Sequence, residues 1–400
     1  MAEHQEVPGR ALIVGAGIAG LAAALRLGRS GWDVLVVEKA PGPRGGGYVV
    51  NFSGVGYEAA GRLGILPDLE RAEQPTPELV YVDESGRRVA ALPPEAHAAL
   101  VGGASVTLLR GDLEAALHRA LSDRARLRFG TTVTRLDQDD DGVDVGFSDG
   151  TDGRFDLVVG ADGLHSQVRA AVFGPEERFR ADLGHAVISC LLPEPPRAAR
   201  LDAAQSVGVG LVGRGVGITP TADGRCAAFF AFRTDDVERD LREGPVPTLR
   251  RVYGDLGWVV PDLLTAVAKE DSIYFDRICQ IRMERWHQGR VVLLGDSAWC
   301  VSLFAGSGSS LAVGGAELLG DVLDRHHGDP SGALAAWEAE FRPLVLSRQR
   351  EALRATAMFV APNATALWLR TMAFRLSGSR PVRWAGRRFF GNNRRAAASS

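Results

Sequence analysis

The sequence predicts an α/β protein: a parallel-sheet domain, a mostly antiparallel β-sheet inserted into it, and helices at the C-terminus. The first sign lies near the N-terminus, where the apolar runs Ala11–Gly15 and Asp33–Val37 flank Ile18–Ser30, which has helical spacing. Such a strand–helix–strand unit implies a parallel sheet. The second sign is a change to short β runs between about Gly184 and Phe232. The pattern therefore indicates two sheets of different kinds.

The remaining elements are placed around these two regions. The turn Ala222-Asp223-Gly224 separates the runs Val216–Pro220 and Arg225–Phe232 and is a hairpin signal. Pro247 suits the first turn of a helix. Further helices are predicted at Asp112–Leu121, Pro247–Gly254, Leu263–Ala268 and from Ser309 onward, and further strands at Thr131–Leu136, Val143–Phe147, Phe155–Gly160 and Arg290–Gly295.

These elements predict a division of the chain into three parts. Residues 1–74, 103–177 and 277–345 form the parallel-sheet domain, and residues 75–102 and 178–276 form the inserted sheet domain. Residues 346–400 form a C-terminal helical, basic segment. No repeat or low-complexity linker interrupts the sequence.

The composition is that of an ordinary globular protein, with 46% hydrophobic and 24% charged residues in 400. No apolar run approaches the ~20 residues that a membrane-spanning helix needs. The polar N-terminus lacks the features of a secretory signal, so we expect the cytoplasm. The four cysteines form no C-x-x-C pair, which argues against a zinc site, or any other metal site, and against a disulfide framework.

The charge is unevenly distributed along the chain. From Ala352 to Ser400 there is no acidic residue, but there are nine arginines: Arg354, Arg370, Arg375, Arg380, Arg383, Arg387, Arg388, Arg394 and Arg395. One interpretation is a solvated, partly frayed C-terminal face. The other is a docking surface for an acidic carrier protein or an anionic surface. No nucleic-acid-binding motif accompanies the charge.

The strongest single motif is a glycine-rich turn between the first strand and the first helix. In Gly15-Ala16-Gly17-Ile18-Ala19-Gly20, the first glycine permits the tight turn, the second admits a pyrophosphate, and the third lets helix and strand pack closely. The phosphates then lie at the positive end of the helix. Glu38 ends the second strand, where a carboxylate accepts hydrogen bonds from ribose hydroxyls and disfavours a 2′-phosphate. A Rossmann-like dinucleotide-binding domain is predicted.

Two later segments narrow the choice of dinucleotide. One is the strand–turn–helix start from Asp156 to Arg169, with Asp162-Gly163 in the turn, and the other is the strand Gly289–Gly295 followed by Asp296. The three segments resemble the G-x-G-x-x-G, D-G and G-D fingerprints of the aromatic-hydroxylase family, the class A FAD-dependent monooxygenases of the para-hydroxybenzoate hydroxylase fold. They have the family's order and spacing. The stretch Arg44–Leu66 is similar to the tetracycline-monooxygenase and antibiotic-tailoring branch.

The resemblance implies a tightly but non-covalently bound FAD. Glu38 would bind the adenosine ribose, Arg44 would lie near the pyrophosphate, Arg110 would contact the flavin side, and Asp296 would bond the ribityl chain. Asp162 is implied less firmly, since with Arg169 it could instead form an ion pair that fixes its turn. The full set of implied cofactor-binding residues is Gly15, Gly17, Ile18, Ala19, Gly20, Glu38, Lys39, Arg44, Arg110, Asp162, Asp296, Gly306, Gly308 and Ser309.

The segment after Asp296 is expected to face the flavin. In the family, backbone N–H groups at the turn Gly306–Gly308 face the part of the flavin that becomes negative on reduction. The flavin-face candidates are therefore Leu303, Phe304, Gly306 and Gly308, although no catalytic side chain is assigned. The family usually has Pro at Leu303 and Gln at Ser307, and the absence of the Pro leaves FAD binding intact but reduces support for hydroxylation.

The substrate is expected between the flavin and the inserted sheet. Wall candidates are Phe230, Phe232, Phe304, Gln280 and Arg282, although residues of these types are more often core or surface residues than ligand contacts. Their aromatic bias suits a large aromatic or polyketide-like molecule. No second glycine-rich unit is present for NADPH or NADH, which fits the transient binding of the reductant in the family.

Three functions are compatible with these motifs. The first is a monooxygenase that consumes NAD(P)H and transfers oxygen through a flavin C4a-hydroperoxide. The second is a non-redox cyclase or isomerase of natural-product biosynthesis that keeps FAD as a structural element, which Leu303 motivates. The third is a halogenase or reductase on the same scaffold; the sequence has no Trp-x-Trp-x-Ile motif of the kind that halogenases carry.

Overall fold

The structure, a computed structural model, describes residues 9–43, 48–95, 103–196, 202, 204–326 and 329–377. The strands are β1 Arg10–Val14, β2 Asp33–Glu38, β3 Val49–Ser53, β4 Glu78–Val82, β5 Arg88–Leu92, β6 Ser105–Leu109, β7 Arg126–Phe129, β8 Val133–Gln138, β9 Val143–Phe147, β10 Asp152–Phe155, β11 Leu157–Gly160, β12 Arg180–Leu192, β13 Gln205–Leu211, β14 Arg214–Pro220, β15 Cys226–Arg233, β16 Tyr274–Ile281, β17 His287–Gln288 and β18 Val291–Leu293.

Helices connect and cover these strands. They are α1 Ile18–Arg29, α2 Val55–Arg62, α3 Leu66–Arg71, α4 Arg110–Leu121, α5 Gln167–Val172, α6 Val237–Glu243, α7 Pro245–Tyr253, α8 Val260–Val267, α9 Asp296–Trp299, α10 Gly308–Arg325, α11 Pro330–Phe359 and α12 Ala364–Ser377. A 3-10 turn, Leu303–Ala305, lies between α9 and α10. Within the described residues, no helix combines the length and apolarity that crossing a membrane requires.

The predicted strand–helix–strand unit forms the centre of the first sheet. Its order is β17-β18-β11-β1-β2-β7, and β1 runs parallel to both β2 and β11. Residues 11–13 of β1 and 157–159 of β11 are fully buried, as expected for parallel strands covered on both faces. Helix α1 packs on β1 and β2, and α10 packs against α1. The carboxyl ends of the strands in this sheet therefore converge beside the N-termini of α1 and α10.

The second sheet has the order β16-β12-β15-β14-β13-β4-β5. Its described strand pairs are antiparallel except β13 with β4. The predicted hairpin is confirmed, since β14 and β15 pair across the turn at 222–224. Two predicted domain boundaries fall inside secondary-structure elements. The boundary between residues 276 and 277 lies within β16, which pairs with β12 as far as Ile281. The boundary between residues 345 and 346 lies within α11. The composition changes at these points, but strand pairing extends β16 and continuous helical hydrogen bonding extends α11 beyond them.

The two faces of the second sheet have different surroundings. One face is covered by α7 and α8, with Leu249, Tyr253 and Leu263 among the buried residues that pack against it. The opposite face meets the turn Leu303–Ala305 and Val360, just after α11. Because side chains alternate along a strand, neighbouring residues of one strand belong to opposite environments. This alternation decides which residues can meet a ligand.

Candidate active site

Two of the three motif glycines are required by the packing of the chain itself. Gly15 has φ +106°, and a Cβ there would lie 2.4 Å from the carbonyl oxygen of Ala161. A Cβ at Gly20 would lie 1.8 Å from the carbonyl oxygen of Gly15. Any side chain at either position would collide with backbone, which cannot move aside cheaply.

Gly17 is different, because nothing in the described chain requires a glycine there. Its φ is −80°, and a Cβ would come no closer than 3.8 Å to Glu114 Oε1 and 4.0 Å to Arg110 Nη2. The open space in front of Gly17 lies at the N-terminus of α1, where backbone N–H groups lack intrahelical partners. Its position and its donors fit a pyrophosphate group.

Glu38 is held beside this space by two backbone groups. Its Oε2 accepts a hydrogen bond from the Ala16 N–H and its Oε1 accepts one from the Ala40 N–H, both at 2.9 Å. The carboxylate therefore lies at the carboxyl end of β2, next to the glycine turn, where ribose hydroxyls would reach it. Lys39 is exposed, and Arg44 lies outside the described residues.

Asp162 forms part of the protein framework rather than an ion pair with Arg169. Its carboxylate accepts hydrogen bonds from the Gln167 and Val168 N–H groups and from the hydroxyls of Ser166 and Ser297. Arg169, fully buried, pairs instead with Glu176 at 3.0 Å and donates to the carbonyls of Leu164 and Ser297. The alternative of an Asp162–Arg169 ion pair is therefore not observed. The Asp162-Gly163 turn is instead linked to the segment after Asp296, because the Ser297 hydroxyl donates to Asp162 and accepts from the Gly163 N–H.

Asp296 is exposed to solvent in a cleft and lies beside Arg110, Tyr48 and the start of α10. Desolvation by the surrounding protein raises the pKa of Asp296, and the nearby Arg110 guanidinium opposes the shift. Arg110 begins α4, donates its N–H to the Tyr48 carbonyl at 3.0 Å, and bonds Glu114 at 2.8 Å. The Asp296 carboxylate is thus an acceptor that lies near a cation and can receive hydroxyl hydrogen bonds.

The turn before α10 presents backbone to the same cleft. Gly306 is left-handed, with φ +61°, and α10 begins at Gly308, with Ser309 in its first turn. The hydroxyl of Ser307 is buried and has no hydrogen-bond partner among the residues that the structure describes. Ser302 has φ +94°, a conformation that costs a non-glycine residue about 1–3 kcal/mol and is concentrated at functional sites. The turn therefore combines a strained backbone with hydrogen-bond donors, the N–H groups at the start of α10 and the Ser307 hydroxyl. A bound anion or flavin edge would accept hydrogen bonds from these donors.

Aromatic side chains continue from this turn onto the second sheet. Phe304 is 3% exposed, stacks on Phe359 at 4.8 Å, and meets His185 edge-on. Leu303 is half-buried against the same apolar cluster, which includes Val187 of β12. Phe359, at the end of α11, is 46% exposed. Phe304 therefore supports the cleft wall from beneath, whereas Phe359 presents surface to solvent.

Two of the predicted substrate contacts are wrong. Phe230 and Phe232 are fully buried and pack edge-on against Tyr253 of α7, on the helix-covered face of the sheet. Strand alternation places their neighbour Phe229 on the opposite face, where it packs beside the Phe304 cluster. The sequence shows that β15 is a strand, but both of its faces are apolar, so the pattern alone does not identify the cleft face.

Gln280 and Arg282 do not reach the cleft as predicted. The buried Gln280 amide donates to the carbonyls of Val301 and Gln349, and its oxygen accepts from Arg282. Both residues line a different cavity, of about 420 Å³, which α11 covers. The extension of β16 past the predicted domain boundary explains this, because it carries both residues beneath α11.

Two cleft residues, Tyr48 and Tyr274, are missing from the sequence prediction. Their rings lie 6.0 Å apart at 51°. Desolvation raises the pKa of Tyr48 to about 12 and that of Tyr274 well above its usual value. Tyr48 precedes β3 and Tyr274 begins β16, so no local motif links them. Position at a strand end, near Arg110 in the first case, is the only signal that could have identified them.

Comparisons with known proteins agree with this geometry. Residues 9–344 match the model of a family described as FAD binding domain. A flavin-dependent monooxygenase from an unknown prokaryotic organism is 30% identical, over 85% of this chain and 87% of its own length. The chain belongs to this family. It is an FAD-dependent monooxygenase, with the α/β fold that the sequence predicted.

Solved structures show the same fold over nearly the whole chain. The tetracycline destructase Tet(51) has a TM-score of 0.78 at 26% identity, covering 93% of this chain and 97% of that one. The HpxO protein of Klebsiella pneumoniae, complexed with FAD and uric acid, has a TM-score of 0.74 at 25% identity, covering 94% and 95%. In the present monooxygenase, the residues around Gly17, Glu38, Arg110, Asp296 and Gly306–Gly308 fit the cofactor.

Proposed function

We propose that this monooxygenase consumes NADPH or NADH and inserts one oxygen atom into a large aromatic or polyketide-like molecule. The balanced reaction takes substrate, O₂, NAD(P)H and a proton to hydroxylated or epoxidised product, water and NAD(P)⁺. Bound FAD would supply the activation of oxygen, chemistry that protein side chains do not provide. The cytoplasmic location and the basic C-terminal docking surface stay predictions. Six of the nine arginines lie outside the described residues.

One observation carries the proposal: the cofactor turn leads directly into an apolar wall. Gly306 and Gly308 present backbone to the cleft, and the preceding Phe304 connects through Phe359 to the second sheet. A substrate lying on that wall would be next to the cofactor and shielded from water by aromatic side chains. The chain's own contribution is therefore to position the two molecules, to exclude water, and to offer N–H groups where negative charge develops.

The proposal is tested with the FAD-loaded protein. NADPH and NADH oxidation are measured with and without panels of aromatic and polyketide-like compounds, and products are analysed by mass spectrometry under ¹⁸O₂. We expect substrate-stimulated oxidation and a product that carries one labelled oxygen atom. Turnover without oxygen or nicotinamide, giving a product of unchanged mass, would instead identify the non-redox cyclase or isomerase that Leu303 motivates.

A further inference from the structure

The cleft-facing side of the second sheet carries a run of glycines in two neighbouring strands. Gly208 and Gly210 of β13 pair directly with Gly217 and Gly215 of β14, without a register shift. The intervening valines, Val209 and Val216, point to the opposite, helix-covered face and are buried. The sheet is therefore bare of side chains at four adjoining positions on the face that meets Phe304.

Two of these glycines are explained by the chain itself. A Cβ at Gly210 would lie 1.8 Å from Arg370 Nη2, and a Cβ at Gly215 would lie 3.3 Å from the Phe359 carbonyl oxygen. The end of α11 and the helix α12 rest on the sheet at these points. Close approach of another chain segment is an ordinary reason for glycine in a strand.

The other two glycines have no such explanation. Among the described residues, a Cβ at Gly217 would meet nothing closer than Phe229 Cβ at 3.9 Å, and one at Gly208 would be in ordinary contact with the Tyr81 ring at 3.5 Å. Neither residue has a positive φ. Glycine weakens a strand, and one established reason for its use is the close approach of a ligand.

The pairing of the strands defines the shape of this bare patch. One row across the sheet runs Tyr81, Gly208, Gly217, Phe229, Ser189 and Tyr274, by consecutive pairing of β4, β13, β14, β15, β12 and β16. Three strand spacings of ~4.8 Å separate β4 from β15, about 14 Å. The two glycines thus form the floor of a trough with an aromatic ring on each side, and its row ends at the cleft tyrosine.

The two ends of the trough differ in chemistry. At one end, Ser206 and Thr219 face each other with their hydroxyls 3.0 Å apart. At the other end lies Arg370 of α12, 6% exposed, with its guanidinium over the Tyr81 ring and Nη1 donating to the Met358 and Phe359 carbonyls. Among the described residues, no carboxylate pairs with Arg370. Burial lowers the pKa of this arginine.

A buried cation without a counter-charge is costly for the fold. Its position at the edge of a bare trough suggests that the missing charge arrives with the ligand. We propose that Gly208 and Gly217 form a platform for a flat, fused-ring aromatic substrate, and that Arg370 binds an acidic oxygen of that substrate. This inference rests on the proposed function, since it identifies the substrate class for the same cleft.

The test measures binding to the oxidised, FAD-loaded protein, without nicotinamide or turnover. The probes are 2-naphthoate and its neutral counterpart 2-naphthamide, titrated against the flavin absorbance spectrum up to about 1 mM. The wild type should bind the acid more tightly than the amide. Equal binding of the two, or no binding of either, would overturn the proposal. Absence of oxygen insertion would contradict the proposed function but leave this result interpretable.

Variants separate the platform from the anchor. Gly217→Val should weaken 2-naphthoate binding at least tenfold while FAD content and Tm are kept, because a valine fits the strand without a clash. Gly217→Ala should have an intermediate effect. Gly257→Val, in the loop before α8 and away from the trough, is the matched control and should bind normally. Unchanged binding by Gly217→Val, or equal weakening in the control, would refute the platform.

Arg370→Gln should remove the preference for acid over amide, and Arg370→Lys should retain part of it. The control is Arg375→Gln on the same helix, where an exposed arginine donates to the Val89 carbonyl. An acid preference that survives in Arg370→Gln would refute the anchor. If Arg370→Gln does not fold, the lysine variant and the Gly217 series still decide the proposal.

Discussion

This monooxygenase has one half built on the first sheet, here the cofactor half, and one built on the second sheet, here the sheet half. The sequence encodes the sites of the two halves in different ways. In the cofactor half, Gly17, Glu38 and Asp296 each end or follow a parallel strand, so short local motifs bring them to one edge. In the sheet half, the row from Tyr81 to Tyr274 is assembled from six strands and completed by Arg370, 89 residues beyond the end of β16. Local motifs therefore determine the cofactor-binding residues, whereas the long-range register of the strands determines the residues that face the substrate.

The largest expected effect tests whether the open space at Gly17 belongs to the cofactor. Gly17→Val should fold but lose FAD affinity by at least about a hundredfold, roughly 2.7 kcal/mol, because its side chain fills the space for the pyrophosphate. FAD binding and the Tm of the apoprotein are measured together. Gly20→Val is the contrast and should not fold, because its Cβ would lie 1.8 Å from the Gly15 carbonyl oxygen. Normal FAD affinity in Gly17→Val would break the assignment.

A second prediction compares two adjacent residues on opposite faces of β15. Phe230→Ala should cost about 3–5 kcal/mol of unfolding free energy, since it empties a fully buried site beside Tyr253. Phe229→Ala should cost less stability and weaken substrate binding instead. Denaturant titration and the 2-naphthoate titration separate the two effects. Equal stability losses, with no change in binding for either, would refute the face assignment.

The two regions tested by these variants differ in how far the sequence predicts them. The first sheet was predictable because strand, glycine turn and helix follow one another within about thirty residues. The hairpin at 222–224 was predictable for the same reason. The face of β15 was not, because Phe230 and Phe229 are both apolar and only the packing of α7 against one face distinguishes them. The contribution of α12 was not predictable either, since no local motif marks Arg370 as buried.

A third prediction concerns Asp296, in the cleft. Desolvation by the surrounding protein raises its pKa, but the residue is exposed and solvent screens the ionised carboxylate. Asp296→Asn removes that charge and should leave the Tm of the apoprotein nearly unchanged. The same change should weaken FAD binding by about ten- to a hundredfold, through loss of a charge-assisted hydrogen bond of ~1.5–3 kcal/mol. Parallel loss of Tm and FAD would indicate a merely structural role.

The smallest expected effect lies at the join between the two halves. His165, in the aspartate fingerprint of the cofactor half, contacts Asp276 of β16 at 3.3 Å and Glu176 at 3.0 Å. Its hydrogen bond to Asp276, and the charges of both acids, raise the pKa of His165 above its usual value. A raised histidine pKa means that the stabilisation is fully present below about pH 6.5 and is lost as the pH rises through the higher folded-state value.

We therefore expect the stability difference between wild type and His165→Gln to shrink as the pH rises from about 6 to about 8.5. The difference should stay below ~1 kcal/mol, because the His165 side chain is 54% exposed and solvent screens its ion pairs. Chemical denaturation across this pH range measures it, with His118→Gln on the exposed face of α4 as the control. A difference that grows with pH, or an equal response in the control, would contradict this electrostatic link between the halves.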